Sequence, residues 1–407
     1  MISLEEARDR VLRSCPPAAT VRVGVGDALD RVLAEPVHAP EPVPPFANTA
    51  MDGFAVRAAD VSGASADHPT RLVIVGTIAA GHAPDRAVGP GEAVRIMTGA
   101  PFPDGADAIA IVETTRPDGD RGVLVERPVS AGDHIRAAGE DLAAGQEVFP
   151  IGTVLGPGHL GVLATTGRVD VAIIPAPRVG VLSTGDELVA GGGPLRPGQI
   201  RDSNRLTLLA LLRRDGYPVV DLGIARDDEA EINQKLTEAA ASCDAVLTSG
   251  GVSMGDFDYV KKVLDEIGDM SWMQVAIRPA KPFAFGTIAT TPVFGLPGNP
   301  VSSMVSYELL ARSGLRAMAG HPPDRLHHPL IPAVVDDDSL HRRPDARTNY
   351  SRVNATMGAD GRYHVRTAGG QASNLLWPMA VADALAVVPP GDGVAAGGEV
   401  AIILLPG

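Results

Sequence analysis

Between Arg178 and Arg312, short apolar runs alternate with helical patterns, and a chain with that alternation has few ways to fold. Arg178 to Leu182, Pro218 to Leu222, Asp244 to Thr248 and Pro292 to Leu296 read as strands. Their uninterrupted apolar character suits strands covered on both faces. Helical patterns follow them over Asn204 to Arg214, Asp228 to Ser242, Tyr259 to Ile267 and Val301 to Arg312. Asp202 or Ser203 is the expected N-cap of the first helix, and Gly216 its stop. Strand and helix in repeated succession predict a doubly wound α/β domain from about Pro177 to about Gly320, a parallel sheet with helices on both faces.

At 407 residues the chain exceeds what one core supports, so three or four domains are expected. Ser3-Leu4-Glu5-Glu6 has capping-box spacing, and Leu4, Ala7, Val11 and Leu12 recur at helical intervals. Pro36 to Pro45 interrupts regular structure. From Phe46 to about Pro150, short runs such as Arg71 to Val75, Ala93 to Met97 and Ala108 to Val112 stand between glycines and prolines and predict a β-rich domain. A short helix is expected between Gly156 and Gly167. Beyond Pro323 the helical period disappears, and Leu385 to Val388 and Val400 to Leu404 read as strands of a small closing β domain. A net charge of −14 argues against a nucleic-acid partner. No run reaches membrane-spanning length and no secretory signal is visible, so a cytoplasmic, membrane-free protein is expected. Cys15 and Cys243 are the only cysteines, which excludes a disulfide framework or a cysteine-built metal site.

In an open α/β sheet, ligands bind beyond the carboxyl ends of the strands. Three loops occupy that edge: Ser183-Thr184-Gly185-Asp186-Glu187-Leu188; Ser249-Gly250-Gly251-Val252-Ser253, running on to Tyr259; and Gly295-Leu296-Pro297-Gly298-Asn299-Pro300. Glycine lets backbone N–H groups approach a phosphate closely, and a helix N-terminus stabilises the anion. Any one of these loops alone reads as a turn; three on one sheet edge predict a site for an anionic, phosphorylated small molecule. Carboxylates beside such a ligand need a mediator, and Mg²⁺ held by one or two carboxylates plus phosphates fits. Glu187, Asp227 and Asp258 are the candidate ligands. The ordinary alternatives are that Asp256 or Asp258 caps a helix and that Asp227-Asp228 begins one; Asp228 is expected to be a cap. Arg278 and Lys281, stiffened by Pro279 and Pro282, could clamp an oxyanion.

Together these segments resemble the molybdopterin molybdenumtransferase family, which inserts molybdenum during molybdenum-cofactor synthesis and includes the C-terminal portion of gephyrin. The resemblance rests on Asn48 to Val56 with Met51-Asp52-Gly53, Arg95 to Pro101 with Thr98-Gly99-Ala100, Gly139-Glu140-Asp141, Ser183 to Leu188, Ile200-Arg201-Asp202-Ser203-Asn204, Ser249 to Tyr259, Lys281-Pro282-Phe283 and Gly295 to Pro300. It implies four parts: a discontinuous N-terminal domain (1–45 with 146–176), an inserted β-rich domain (46–145), an α/β molybdopterin-binding domain (177–322) and a C-terminal β-barrel (323–407). It also implies that adenylylated molybdopterin and molybdate are the substrates, that AMP is released in a Mg²⁺-dependent step, and that the working unit is a homodimer with a shared site. Functional residues carried over by motif are Asp52, Thr98, Asp141, Glu187, Asp227, Asp258, Pro297 and Pro300. Gln274 and Arg278 depart from the family pattern, in which well-studied bacterial relatives carry lysines; Arg278 keeps the charge and Gln274 loses it.

Two other readings come from different classes. Molybdopterin adenylyltransferases share the α/β domain but generally lack the domain carrying Asp52 and Thr98. A gephyrin-like scaffold would carry a further fused domain and a long linker, neither of which is visible in this sequence.

Overall fold

The computed structural model describes residues 1–251 and 259–405, with the backbone alone at 339 and 341–343. Val252 to Asp258, which include the expected site residues Ser253 and Asp258, lie outside the described residues. The chain forms two compact bodies, one of Gly24–Asp27 with Glu35–Val171 and one of Met1–Val23, Ala28–Ala34 and Ala172–Gly407.

The smaller body is built on six strands: β1 (Gly53–Val56), β2 (Thr70–Ile78), β3 (Glu92–Ile96), β4 (Ala108–Ile111), β5 (Thr115–Asp118) and β6 (Gly122–Val125), in spatial order β4-β1-β3-β2-β6-β5. Both faces are covered. Phe54 and Val56 point into a core with Leu72 and Val123, and Ala55 points into another with Val94, Ile96 and Ile109. Gly53 sits where a Cβ would drive into the Ala110 carbonyl of the neighbouring strand, so only glycine permits this pairing. The expected short helix forms over Pro157–Thr165.

The larger body contains the doubly wound domain. Strands β7 (Val179–Thr184), β8 (Val219–Ala225), β9 (Ala245–Ser249) and β12 (Thr291–Leu296) are parallel, in order β8-β7-β9-β12. Odd positions of β7, Val179 and Val181, face helix α2 (Asn204–Arg214), where Leu208 and Leu212 are fully buried. Leu182 and Val246 face α3 (Glu229–Ser242) and α4 (Tyr259–Ile267) on the other side. Burying one such leucine contributes roughly 1.5–3 kcal/mol, so this alternation holds the three layers together. Asp228 caps α3 as expected, accepting from Glu231 N at 2.8 Å.

Two strands were not foreseen. β10 (Asp269–Gln274) and β11 (Pro282–Ile288) extend the sheet antiparallel beyond β12. The prolines around Lys281 read as a stiff loop, yet Pro282 occupies the first residue of a strand, where no ladder N–H is lost. The last helix also runs further than Arg312. It starts as α5 (Pro300–Ser306), passes through a π-turn at Tyr307–Ala311 and continues over Arg312–Met318. Gly314 in this last stretch is a contact point: a Cβ there would lie 2.8 Å from Val11 Cγ1 on α1 (Leu4–Arg13). Ser3 caps α1 through Glu6 N at 3.0 Å, and Leu4, Ala7 and Val11 join the same core.

Beyond the α/β domain, β13 (Ile331–Val335), β14 (Thr348–Met357), β15 (Tyr363–Thr367), β16 (Ala384–Val388) and β17 (Glu399–Leu404) close on themselves in order β14-β15-β13-β17-β16. This five-stranded barrel matches the expected closing β domain. Among the described residues no helix is long and apolar enough to cross a membrane.

The π-turn carries a buried ion network. Glu308, 2% exposed, accepts from Arg214 Nη1 at 2.9 Å and contacts His328 Nε2 at 2.8 Å. Burial pushes its carboxyl up, but the His328 and Arg214 hydrogen bonds outweigh that and hold it below the ordinary glutamate value. Arg214→Ala should therefore cost about 3–5 kcal/mol in urea unfolding, because it strands a buried charge. A carboxyl whose folded pKa is depressed stabilises above its unfolded pKa, about 4.3, and loses that contribution as pH falls through the folded value. The difference between wild type and variant should accordingly shrink on acidification below about pH 4; a constant difference would show that Glu308 is not the group involved.

Candidate functional site

The parallel strand order β8-β7-β9-β12 places the topological switch point between β7 and β9, where the outgoing chains diverge to opposite sides. All three expected loops leave the carboxyl edge here. Ser183 and Thr184 end β7 and are buried. Gly185 then adopts φ +146°, and a Cβ on it would lie 2.5 Å from Glu187 Oε2, so the glycine lets the Glu187 carboxylate fold back over the turn. Asp186 and Asp227, on the loops after β7 and β8, bind each other's backbone: Asp186 N donates to Asp227 Oδ2 at 3.4 Å and Asp227 N to Asp186 Oδ1 at 3.2 Å.

The glycines after β9 work by close approach. Gly250 and Gly251 have φ +99° and +68°, and Gly250 N donates to Leu296 O at 3.1 Å. A Cβ on Gly250 would meet Thr184 O at 3.0 Å, and one on Gly298 would meet Gly250 Cα at 3.8 Å. Asn299 precedes α5 as its N-cap residue and Pro300 takes its first position, the position proline favours. Pro297 is buried, whereas Gly298 and Asn299 are exposed at the edge.

The start of α2, with Asp202 just before it, ties these loops together. Asp202 accepts from Ser183 Oγ at 3.1 Å and from Arg205 N at 3.1 Å and Nε at 2.9 Å. Arg205 reaches on to both oxygens of Asp221 in β8, at 2.6 and 2.5 Å. Asn204 Nδ2 donates to Ser249 Oγ at 2.8 Å and to Gly298 O at 2.7 Å. Asp202 is the residue that serves the helix N-terminus, since Ser203 makes no side-chain cap bond. The signals in the sequence are a cluster of polar residues ahead of an apolar helix and the Ile200-to-Asn204 motif, neither of which names a distant partner.

Lys281 and Gln274 also belong to this edge. The registers Gln274↔Pro282 and Ala284↔Gly295 set both beside the end of β12. Arg278 sits in a short strand paired with β14 of the barrel and contacts Asp345 Oδ2 at 3.4 Å. Hydrogen bonds from Arg347, and then from Arg278, hold the Asp345 carboxyl well below the usual range. Among the described residues no group of three or more His, Cys, Asp or Glu side chains is set to hold a metal by itself.

Asp52 and Thr98 meet in the smaller body. Asp52 Oδ1 accepts from Thr98 N and from Thr98 Oγ1, each at 2.7 Å. The turn that presents Thr98 is held by Gly99 N to Thr49 O at 2.9 Å, with Gly99 at φ +80°. Asp141 lies in another turn of that body, its backbone N donating to Val43 O at 2.9 Å, and its side chain is exposed. The Thr98 backbone and hydroxyl hydrogen bonds lower the Asp52 pKa. An NMR titration should place its midpoint below 3.8, and Thr98→Val should move it upward by removing one of the two donors. An unmoved midpoint would mean that the hydroxyl bond does not form in solution.

Three family profiles match the chain in order: MoeA N-terminal region (domain I and II) over residues 2–167, probable molybdopterin binding domain over 180–317, and MoeA C-terminal region (domain IV) over 338–405. The molybdopterin molybdenumtransferase of Haemophilus influenzae is 34% identical over 404 residues, 99% of this chain and 98% of the relative. Molybdopterin molybdenumtransferase 2 of Mycobacterium tuberculosis is 41% identical over 328 residues, 79% of this chain and 80% of the relative. A crystal structure of the molybdopterin biosynthesis moeA protein from Pyrococcus horikoshii OT3 has a TM-score of 0.83 at 27% identity, covering 100% of both chains. By full-length sequence similarity, ordered domain matches and shared architecture, the chain belongs to the molybdopterin molybdenumtransferase family.

Proposed function

We propose that this protein transfers molybdenum from molybdate to adenylylated molybdopterin, with hydrolysis of the pyrophosphate link and release of AMP. The observation that carries the reading is the convergence of Gly185, Gly250, Gly251 and Gly298 on the switch point of the α/β sheet, beside the N-termini of α2 and α5. Backbone N–H groups and helix ends there suit a phosphorylated ligand, and Lys281 supplies a cation. The dithiolene sulfurs come with the ligand, so the protein needs no cysteine cluster. Arg278 and Lys281 are the proposed oxyanion grips; Arg278 would have to act against its existing bond to Asp345.

Mg²⁺ is the proposed metal. Asp186, Glu187 and Asp227 offer only hard oxygen donors at one edge, which fits this ion, and Mg²⁺ commonly takes few protein ligands and completes its shell with phosphate and water. When bound it would neutralise charge on the pyrophosphate oxygens. The chain's own residues do the rest: Glu187 and Asp227 hold the ion, the glycine loops seat the phosphates, and Asp202 orients Ser183.

The working unit is proposed to be a homodimer, following the family resemblance, with Asp52 and Thr98 of one copy serving the α/β site of the other. A cytoplasmic location is also proposed.

Purified protein given adenylylated molybdopterin, molybdate and Mg²⁺ should release AMP, and EDTA should abolish the release; undiminished activity in EDTA would exclude the metal. Glu187→Gln should lower kcat about tenfold or more with little change in urea midpoint, since the side chain lies on a loop outside the core. Equal losses of both would assign it a structural role instead. Mixing inactive Asp52→Ala and Asp227→Ala subunits should restore one intact site per heterodimer, and no recovery after demonstrated subunit exchange would mean that each chain builds its own site.

A further inference from the structure

We infer that Asn204 is a positioning residue: it sets the direction in which the Ser249 hydroxyl donates and turns that proton toward a phosphate oxygen of the substrate. The inference rests on the reading above that a phosphorylated ligand occupies the carboxyl edge of the sheet.

Asn204 Nδ2 has two hydrogens and uses both, one on Gly298 O at 2.7 Å and one on Ser249 Oγ at 2.8 Å. Gly298 O can only accept, so the amide has one consistent orientation and its nitrogen faces both partners. Ser249 Oγ is thereby an acceptor, and its own proton must go elsewhere. Ser249 is 3% exposed, and among the described residues no acceptor receives that proton. A buried hydroxyl hydrogen left over in this way costs free energy until a ligand takes it.

The neighbouring strand shows the opposite arrangement. Ser183 is aligned with Ser249 across β7 and β9, but its hydroxyl donates to Asp202 at 3.1 Å. Ser183 therefore has its proton occupied, whereas among the described residues the Ser249 proton has no acceptor. Two chemically identical side chains at the switch point have been given opposite polarity by residues two apart, Asp202 just before α2 and Asn204 at its first position. An anion beside the Gly250 turn would meet a donor at Ser249 and the positive end of α2 behind it.

The test compares Asn204→Ala, Asn204→Asp, Ser249→Ala, Ser249→Thr and the Asn204→Ala/Ser249→Ala double variant. Ser249→Ala should raise KM for adenylylated molybdopterin about tenfold, as expected for losing a hydrogen bond to a charged group. Ser249→Thr, which keeps the hydroxyl, should restore most of the affinity. Asn204→Asp should be worse than Asn204→Ala, because a carboxylate would take the Ser249 proton for itself and repel phosphate. In the Ser249→Ala background, Asn204→Ala should add less than about twofold, the signature of acting through one hydroxyl. Fully multiplied effects, or equal behaviour of the Ala and Asp variants, would overturn the inference and leave Asn204 as a loop fastener only. Calorimetric titration of the same series with ADP needs no turnover and separates the two readings. Absent AMP release with the same order of ADP affinities would fail the proposed reaction alone, and equal ADP affinities across the series would fail the role of Asn204.

Discussion

The first turn of α2 is the fastening on which the edge of the sheet depends. Asp202 holds the end of β7 through Ser183, Arg205 reaches β8 through Asp221, and Asn204 holds β9 through Ser249 and the loop after β12 through Gly298. The start of α2 thus fastens β7 and β9 at their ends, the loop after β12, and β8 at Asp221 within the strand. Strand ends and the loops beyond them have no ladder to hold them in register, so side-chain bonds of this kind decide how closely they approach. The glycines are the complement of this arrangement, since a Cβ on Gly250 would already press on the Thr184 carbonyl at 3.0 Å.

The same edge resolves an electrostatic conflict. A protein with a net charge of −14 is a poor partner for polyanions, yet a small phosphorylated ligand responds to the field within a few ångströms. At that range the helix N-termini, the turns rich in glycine and Lys281 count for more than the distant acids. The carboxylates at the edge are partly committed already: Asp186 and Asp227 each spend an oxygen on the other's backbone, and Asp202 is enclosed by three donors.

Away from this edge the larger body is held by a different device. Glu308 in the π-turn joins Arg214 at the end of α2 to His328 in the segment leading to the barrel, while Asp215 takes Tyr307 Oη at 2.8 Å and Arg312 Nε at 2.9 Å. The widened turn brings Glu308 and Tyr307 inward together, where each meets a partner on another element. Helix α2 therefore carries the fastening of the candidate site at its start and a buried ion network at its end.

Local pattern alone determined a large part of this protein. The four parallel strands, the helices between them, the cap at Asp228 and the glycine loops at the carboxyl edge follow from periodicity and turn chemistry, which act over a few residues. Tertiary packing decided the rest. Pro282 starts a strand because β12 offers β11 an edge, which local propensity at a proline does not reveal. Asn204 and Asp202 looked like an ordinary helix start; their role exists only because residues 45 and 19 positions away in the chain arrive within hydrogen-bond reach. Polar side chains carry no periodic signal that names a distant partner, and for that reason the loops that form the site were legible in the sequence while the residues that align them were not.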